Sequence, residues 1–550
     1  MILRWRIVSL AVAFLIISVG ETAKCQLPNG NYSVARTNES LPAQPVQLNL
    51  SDQYAGPTLP PPIIGEPVTS QMQIAPYPSE DQRIVAHGSK TQPSNVASAK
   101  EKPKQPPKDF KKAVMKAHHP AAAYNNNFDY LLDSDFSGPY YFGDQFKHLW
   151  YNKLDIGGEI RSRYHREQGI RGLGLTGRDD NFWLTRGRLY ADYEVNKNVR
   201  LYGEYLYADS GGETFNNRPI EENRNEIQNL FVDLRLPELE NGSINVRLGR
   251  QELFFGAQRL VSTLDWANTR ISFQGARATY KRGKFSLDAF LVNPLNRNAS
   301  NESQIDSAND NIVFYGSYAT FKQSDGTILD FYLLGQENTQ LNFNNQTIGS
   351  RIVGKTDRFL YEAEGGFQFG SNSDGTGHDA AFVTFGVGKE LDYFCSKPKL
   401  WFWYDWASGG DESFVGRGDD SFDHQFPLAH KYLGFADLFS RRNINDANIQ
   451  LIAPLADRRF KFVAWYHYLF LHEKTTPYNV NLTPFNTTAL AGDRELGHEI
   501  DLLCVFQPNP RHRFTAGYTQ FFSGNYYNTT PGVPTTGDGS LLFTEYQIRF

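Results

Sequence analysis

From residue 154 to its last residue the chain alternates apolar and polar positions. Ile156, Gly158, Ile160 and Tyr164 share one parity, and Asp155, Glu159, Arg161 and Arg163 share the other. Successive side chains of an extended backbone point to opposite sides, so each such run predicts a strand with one greasy and one ionic face. The division recurs with Leu189, Ala191 and Tyr193 against Arg186, Arg188, Asp192 and Glu194, and with Val199, Leu201, Tyr205 and Tyr207 against Arg200, Tyr202 and Glu204. Later runs set Phe359 and Tyr361 against Glu362 and Glu364, and Phe462, Tyr466, Tyr468 and Phe470 against Lys461 and His467. Runs of this kind, among them 243–251, 270–281 and 347–354, add up to about 18 strands, an even number of the sort bacterial outer-membrane barrels have.

The connections carry more information than the count. Short ones, such as Asn196-Lys197, Arg282 and Lys355 to Asp357, alternate with long ones at 167–180, 210–225, 252–269, 293–310, 336–346, 407–444, 472–496 and 523–540. A meander with tight hairpins at one end and loose ones at the other is expected of a transmembrane barrel, whereas a soluble sandwich has no reason for it. An Arg or Lys on the lipid face at mid-bilayer costs roughly 2–4 kcal/mol, so a recurrent charged face must line something wet. The expected fold is therefore all-β, a transmembrane antiparallel up-and-down β-barrel over residues 154–550, lipid outside and ions within. Arg277, on the parity of Ile271 and Phe273, breaks that rule and calls for a bulge or a position near a strand end.

Ahead of the barrel, Arg4 and Arg6 precede the apolar run Ile7 to Val19, which gives residues 1–20 the form of a secretory signal peptide. Residues 21–124 are rich in Pro, Gln, Asn and Ser (LPAQPVQLNL, GPTLPPPIIGEP) and are expected to form a disordered periplasmic linker, one able to recruit periplasmic export partners. A plug is the competing role, which this composition disfavours. Residues 125–153, with Phe, Tyr, Leu and Trp in numbers a linker lacks, predict a short ordered piece packed against the barrel.

Composition narrows the function. Aromatic residues make up 14% of the chain, with 46 Gly and only 3 Met, a mixture that favours sheet. The net charge of −5 and the lack of a basic, aromatic-interleaved patch speak against nucleic acid. Three cysteines cannot make a disulfide framework. The chain ends LLFTEYQIRF, alternating Tyr546, Ile548 and Phe550, which resembles the terminal signal of bacterial outer-membrane barrels.

RLGRQELFFGAQRLV with DWANT (Arg247 to Val261, Asp265 to Thr269) and SFDHQFPLAHKYLGFADLF (Ser421 to Phe439) resemble the alginate-export family of outer-membrane barrels. That resemblance implies an eighteen-stranded barrel that secretes a polyanionic uronate polysaccharide through an arginine-lined pore.

The inward parity supplies Arg161, Arg163, Arg186, Arg188, Arg200, Arg235 and Arg247 as candidates for contact with substrate, since guanidinium forks bind carboxylates in pairs of hydrogen bonds and stay charged. Glu159, Asp192, Glu194, Glu204, Asp233, Asp288, Glu362 and Glu364 share that side, so mutual pairing that stiffens the wall is equally open. Arg250, Glu252, Arg259, Asp265, Arg270, Asp423, His424, His430 and Asp437 fall in the two motif loops as candidates for a polar network holding them over the pore. His424 and His430 beside Asp423 could alternatively ligate a metal, but no cofactor or metal is expected. Three functions stay open: an anionic-polysaccharide exporter, a porin for small anionic solutes or oligosaccharides, and a barrel enzyme. The first is favoured, with outer-membrane lipid as its surroundings; catalysis is not expected, because no nucleophile elbow, phosphate loop or zinc helix occurs.

Overall fold

The computed structural model describes residues 110–172, 174–239, 242–297, 304–391, 396–410, 420–455, 459–487, 489–533 and 537–550. The signal peptide, most of the Pro-rich stretch, Cys25 and Cys395 lie outside the described residues. No described helix is long and apolar enough to cross a membrane.

Alternation becomes strand almost wherever it was read. The strands are β1 Leu154–Gln168, β2 Asp180–Asn196, β3 Val199–Gly211, β4 Asn223–Leu239, β5 Gly242–Gln251 and β6 Phe273–Arg282. They continue with β7 Phe285–Pro294, β8 Ile312–Lys322, β9 Ile328–Asn338, β10 Phe343–Thr356, β11 Phe359–Ser371 and β12 Gly377–Glu390. The last are β13 Lys399–Ala407, β14 Ile444–Leu455, β15 Phe460–Phe470, β16 Glu495–Phe506, β17 His512–Ser523 and β18 Gly539–Arg549. Each pairs antiparallel with its sequence neighbours, and β1 pairs with β18 from Glu159↔Arg549 to Gln168↔Ser540. The sheet is thus a closed 18-stranded barrel, with no free edge to template aggregation.

Of the boundaries that differ from expectation, two have an evident tertiary reason. The predicted long connection at 336–346 is a tight turn, because β9 and β10 stay paired as far as Asn338↔Phe343 although Asn344, Asn345 and Gln346 read as loop. Strand β6 starts late, at Phe273, because Ile271 and Ser272 belong to an inward-folded loop: the Ile271 N–H donates to the Thr263 carbonyl and the Ser272 hydroxyl to that of Gln228.

The outer face is apolar as read, with Ile160, Leu189, Leu201, Phe359 and Tyr466 exposed. The inner face is ionic toward the short-turn end, but toward the long-loop end it is lined by Phe273, Phe290, Phe314, Tyr332, Phe382, Leu469 and Phe521, all buried. They are buried because residues 252–272 and 420–443 fold into the lumen and pack Leu253, Leu260, Val261, Phe422, Phe426, Leu438 and Phe439 against them. This resolves Arg277. Phe273 faces inward, packed on Phe314 and Phe426, and Arg277 faces inward with it, bonded to Asp288. No bulge is needed. An inside that receives loops can be greasy without facing lipid.

The expected linker is corrected at its C-terminal end. A helix spans Phe110–Lys116, and Ala117, Ala121, Ala122 and Tyr124 are buried. The order therefore begins before residue 125. The run is rich in Ala and His, which gives little apolar periodicity to read, yet small side chains are what a close-packed site at the barrel mouth admits.

Candidate functional site

The lumen holds the charges that the alternation predicts, and it holds them in pairs. Arg188 donates to Glu204 at 2.6 Å, Arg200 to Asp192 at 2.6 Å, Arg235 to Glu194 at 2.6 Å and Arg247 to Asp233 at 2.8 Å. Arg186 reaches Glu159 at 2.5 Å and Asp265 at 2.8 Å, and Arg163 reaches Glu545 at 2.6 Å. Apart from the exposed Arg235–Glu194 pair, a pair that loses one partner here leaves an uncompensated buried charge, so these contacts also hold the wall in register.

Arg161 is different. Both its terminal nitrogens donate to backbone carbonyls, Asp265 O at 2.7 Å and Ala267 O at 2.6 Å, while its nearest carboxylate, Glu545, is 3.8 Å away. Arg163 likewise gives Nη1 to Trp266 O at 2.7 Å and lies 4.0 Å over the Trp266 ring. The wall therefore grips the 252–272 loop by its main chain, through guanidiniums that a carboxylate ligand would suit.

The motif residues form the rest of that grip. Arg270 pairs with both Glu252 and Asp265 and donates to Ala121 O; Arg250 pairs with Glu226 and donates to Asp306 O at 2.6 Å. Arg259 bridges Glu362 at 2.6 Å and Glu364 at 2.7 Å on the opposite wall. Burial alone would raise the Asp265 carboxyl, but Arg270, Arg186 and Arg161 hold it well below the usual carboxylate range. The two loops also zip to each other: Ser262 N–H donates to Phe426 O at 2.8 Å and Phe426 N–H to Leu260 O at 2.9 Å. His430 stacks on Trp266 with ring centres 3.5 Å apart and lies 3.2 Å from Asp437. Asp423 is tied through its main chain to Gln368, and His424 Nδ1 accepts the Arg441 N–H. His424 and His430 thus take separate partners, and among the described residues no group of three or more His, Cys, Asp or Glu is placed to hold a metal ion.

Several participants were not legible as site residues. Arg171 pairs with Glu221 at 2.6 Å, Arg218 with Glu167 at 2.6 Å, and Arg441 with Asp405 at 2.7 Å. They sit in long connections, where no alternation tells inside from outside. His467 lies between Asp446, 2.8 Å from Nδ1, and Asp501, 3.5 Å from Nε2, fully buried. Its two ring nitrogens each face a carboxylate, an arrangement that leaves neither for activating a nucleophile.

At the short-turn end the pre-barrel segment closes over the lumen. His118 packs edge-on against Phe128, and Arg511, in the β16–β17 turn, pairs with Asp144. Burial, then Arg511, Arg549 and Lys147, push the His118 imidazole well below its ordinary range, with Glu159 opposing; burial, then Arg549, lower that of His119. The docked histidines are neutral, so docking weakens as pH falls below the free imidazole value of about 6.5, where the undocked segment gains protons that the docked one refuses. Proteolysis between residues 110 and 128 is expected to accelerate on acidification through that range. A His118→Gln, His119→Gln variant should lose most of the acceleration; an unchanged pH profile in the variant would remove the histidines from the account.

A family model described as alginate export matches residues 152–537, more than half of the chain. No curated protein matches the sequence. Among solved structures, Pseudomonas aeruginosa OccK8 (OprE) aligns with a TM-score of 0.48 at 14% identity, covering 74% of this chain and 99% of that one. Acinetobacter baumannii OccAB3 aligns with a TM-score of 0.48 at 10% identity, covering 72% and 100%. Pseudomonas aeruginosa OccD3 (OpdP) aligns with a TM-score of 0.46 at 12% identity, covering 72% and 91%. With the family model spanning the barrel from its first strand into the last long connection, the chain belongs to the alginate-export family of outer-membrane β-barrels.

Proposed function

We propose that the protein is an outer-membrane channel that passes an anionic polysaccharide, an alginate-like polyuronate, outward through its arginine-lined lumen, with the N-terminal extension in the periplasm. The observation that carries this is the use made of Arg161, Arg163 and Arg186. Their donors are spent on carbonyls of a loop, at 2.6–3.3 Å, rather than on wall carboxylates alone. Withdrawal of the loop bares guanidinium donors along the path, and a polymer carrying one carboxylate per sugar can take them over one after another. Several weak sites in series let a polyanion enter and leave again.

Passage of small anionic solutes is the second reading, supported by the same charges. The packed loops weigh against it as the resting behaviour, since an open sieve needs no apolar core inside its barrel. Planar-bilayer recording separates the two: a polyuronate is expected to interrupt the current at low concentration and a neutral glucan of equal length is not. Arg161→Ala should weaken that block about tenfold, the worth of one charge-assisted hydrogen bond. Equal block by both polymers, or no sensitivity to Arg161, favours the small-solute porin.

A further inference from the structure

Tyr124 of the pre-barrel segment sits in the lumen as a ligand would. Tyr190, Tyr202 and Phe231, on the inner faces of β2, β3 and β4, form a rank of near-parallel rings 5.8 and 5.1 Å apart. The Tyr124 ring stands across Tyr202 and Phe231 at 5.9 and 5.5 Å, close to perpendicular to both. Its hydroxyl donates to Glu252 O at 2.9 Å, and its own carbonyl accepts from Arg200 Nη2 at 2.7 Å. The Arg247 guanidinium lies 4.4 Å over the Tyr124 ring. Arg247 is 7% exposed, and while its Nε and Nη2 serve Asp233, its Nη1 has no hydrogen-bond partner among the described residues. A buried guanidinium donor left unpaired is costly, and here the guanidinium lies between the Tyr124 ring and the Phe231 ring, 3.6 Å from the latter. Two neighbouring contacts also tie the segment to the lumen: Arg270 donates to Ala121 O, and Asn126 donates to the Tyr190 hydroxyl at 3.1 Å.

We propose that the short-turn end of the lumen holds a subsite for one carboxylate-bearing sugar ring, bounded by Tyr202, Phe231, Arg200 and Arg247, and that Tyr124 occupies it so that residues 117–128 act as a stopper the polymer displaces. The proposal rests on the polyuronate reading above and goes beyond it in naming the ring slot, the two guanidiniums and the chain's own competitor. The ligand carboxylate takes Arg200 Nη2 from the Tyr124 carbonyl and gives Arg247 Nη1 its missing acceptor; the sugar ring takes the volume of the phenol.

The test is calorimetric titration of a uronate trisaccharide, with a neutral glucose trisaccharide as control, into the detergent-purified full-length chain. Tyr124→Ala removes the competitor. Ala122→Arg, at a position 1% exposed, evicts the segment by overfilling its seat while leaving the barrel wall unaltered. Both variants are expected to bind the uronate about tenfold more tightly than the wild type, as removing an occupant present about nine-tenths of the time requires. Adding Arg247→Gln to Tyr124→Ala should abolish the gain, and the neutral sugar should gain nothing. Retention of the heat-dependent gel shift of a folded barrel shows that each variant is intact. Equal uronate affinity in wild type and both variants, or a gain that survives Arg247→Gln, overturns the subsite. Polyuronate block of the bilayer current would still stand in that event, so loss of the subsite and loss of the polyuronate reading are separate results.

Discussion

Removing residues 257–267 from the connection between β5 and β6 is expected to raise the ionic conductance of the barrel several-fold and to leave the barrel folded. That stretch contributes Leu260, Val261, Thr263 and Ala267, all buried inside the lumen, and supplies the carbonyls that occupy Arg161 and Arg163. Its loss empties part of the interior and bares positive charge in the same place, so current should rise and selectivity shift toward anions. The strand ladder closes without it, from β1 to β18. Bilayer recording of the shortened chain in asymmetric salt reads both quantities. Unchanged conductance would mean that the loop does not occlude the path.

Arg270→Ala should be the most damaging single substitution in the lumen. Arg270 and Glu252 have fully buried side chains, paired to each other, and Arg270 also serves Asp265 and Ala121 O. Truncating it strands the buried Glu252 carboxylate, a loss of about 3–5 kcal/mol. The double change Glu252→Gln, Arg270→Gln removes both charges and should recover much of that. Thermal denaturation followed by the heat-dependent gel shift orders the variants: wild type, then the double variant, then Arg270→Ala. If Arg270→Ala melted with the wild type, the polar network would not be what seats the loop.

How much of this was legible depends on which physical signal each part leaves in the chain. Alternation is strong where one side of a strand meets lipid and the other meets ions, and Arg161, Arg188, Arg200 and Arg247 were placed inside by that logic alone. It failed at Phe273 and Arg277, since it equates apolar with outward, and a lumen packed with loops breaks the equation. Asn344 to Gln346 read as part of a long loop because their polarity outweighs a ladder that only the neighbouring strand can supply. Arg171, Arg218 and Arg441 lie in irregular connections, where position follows from long-range pairing and not from period. The carbonyl contacts of Arg161 left no sequence trace, because a main-chain acceptor has no identity to read. Tyr124 was hidden for a further reason: a segment of Ala, His and Asn looks like a tether until the cavity that fits it is known.

The polymer path itself is tested most directly by efflux. Proteoliposomes loaded with a fluorescent polyuronate and an equally long neutral glucan carrying a second dye are expected to lose the polyuronate and keep the glucan, with Arg161→Ala slowing the loss. Retention of both polymers, or equal loss of both, would contradict a lumen built to pass a polyanion.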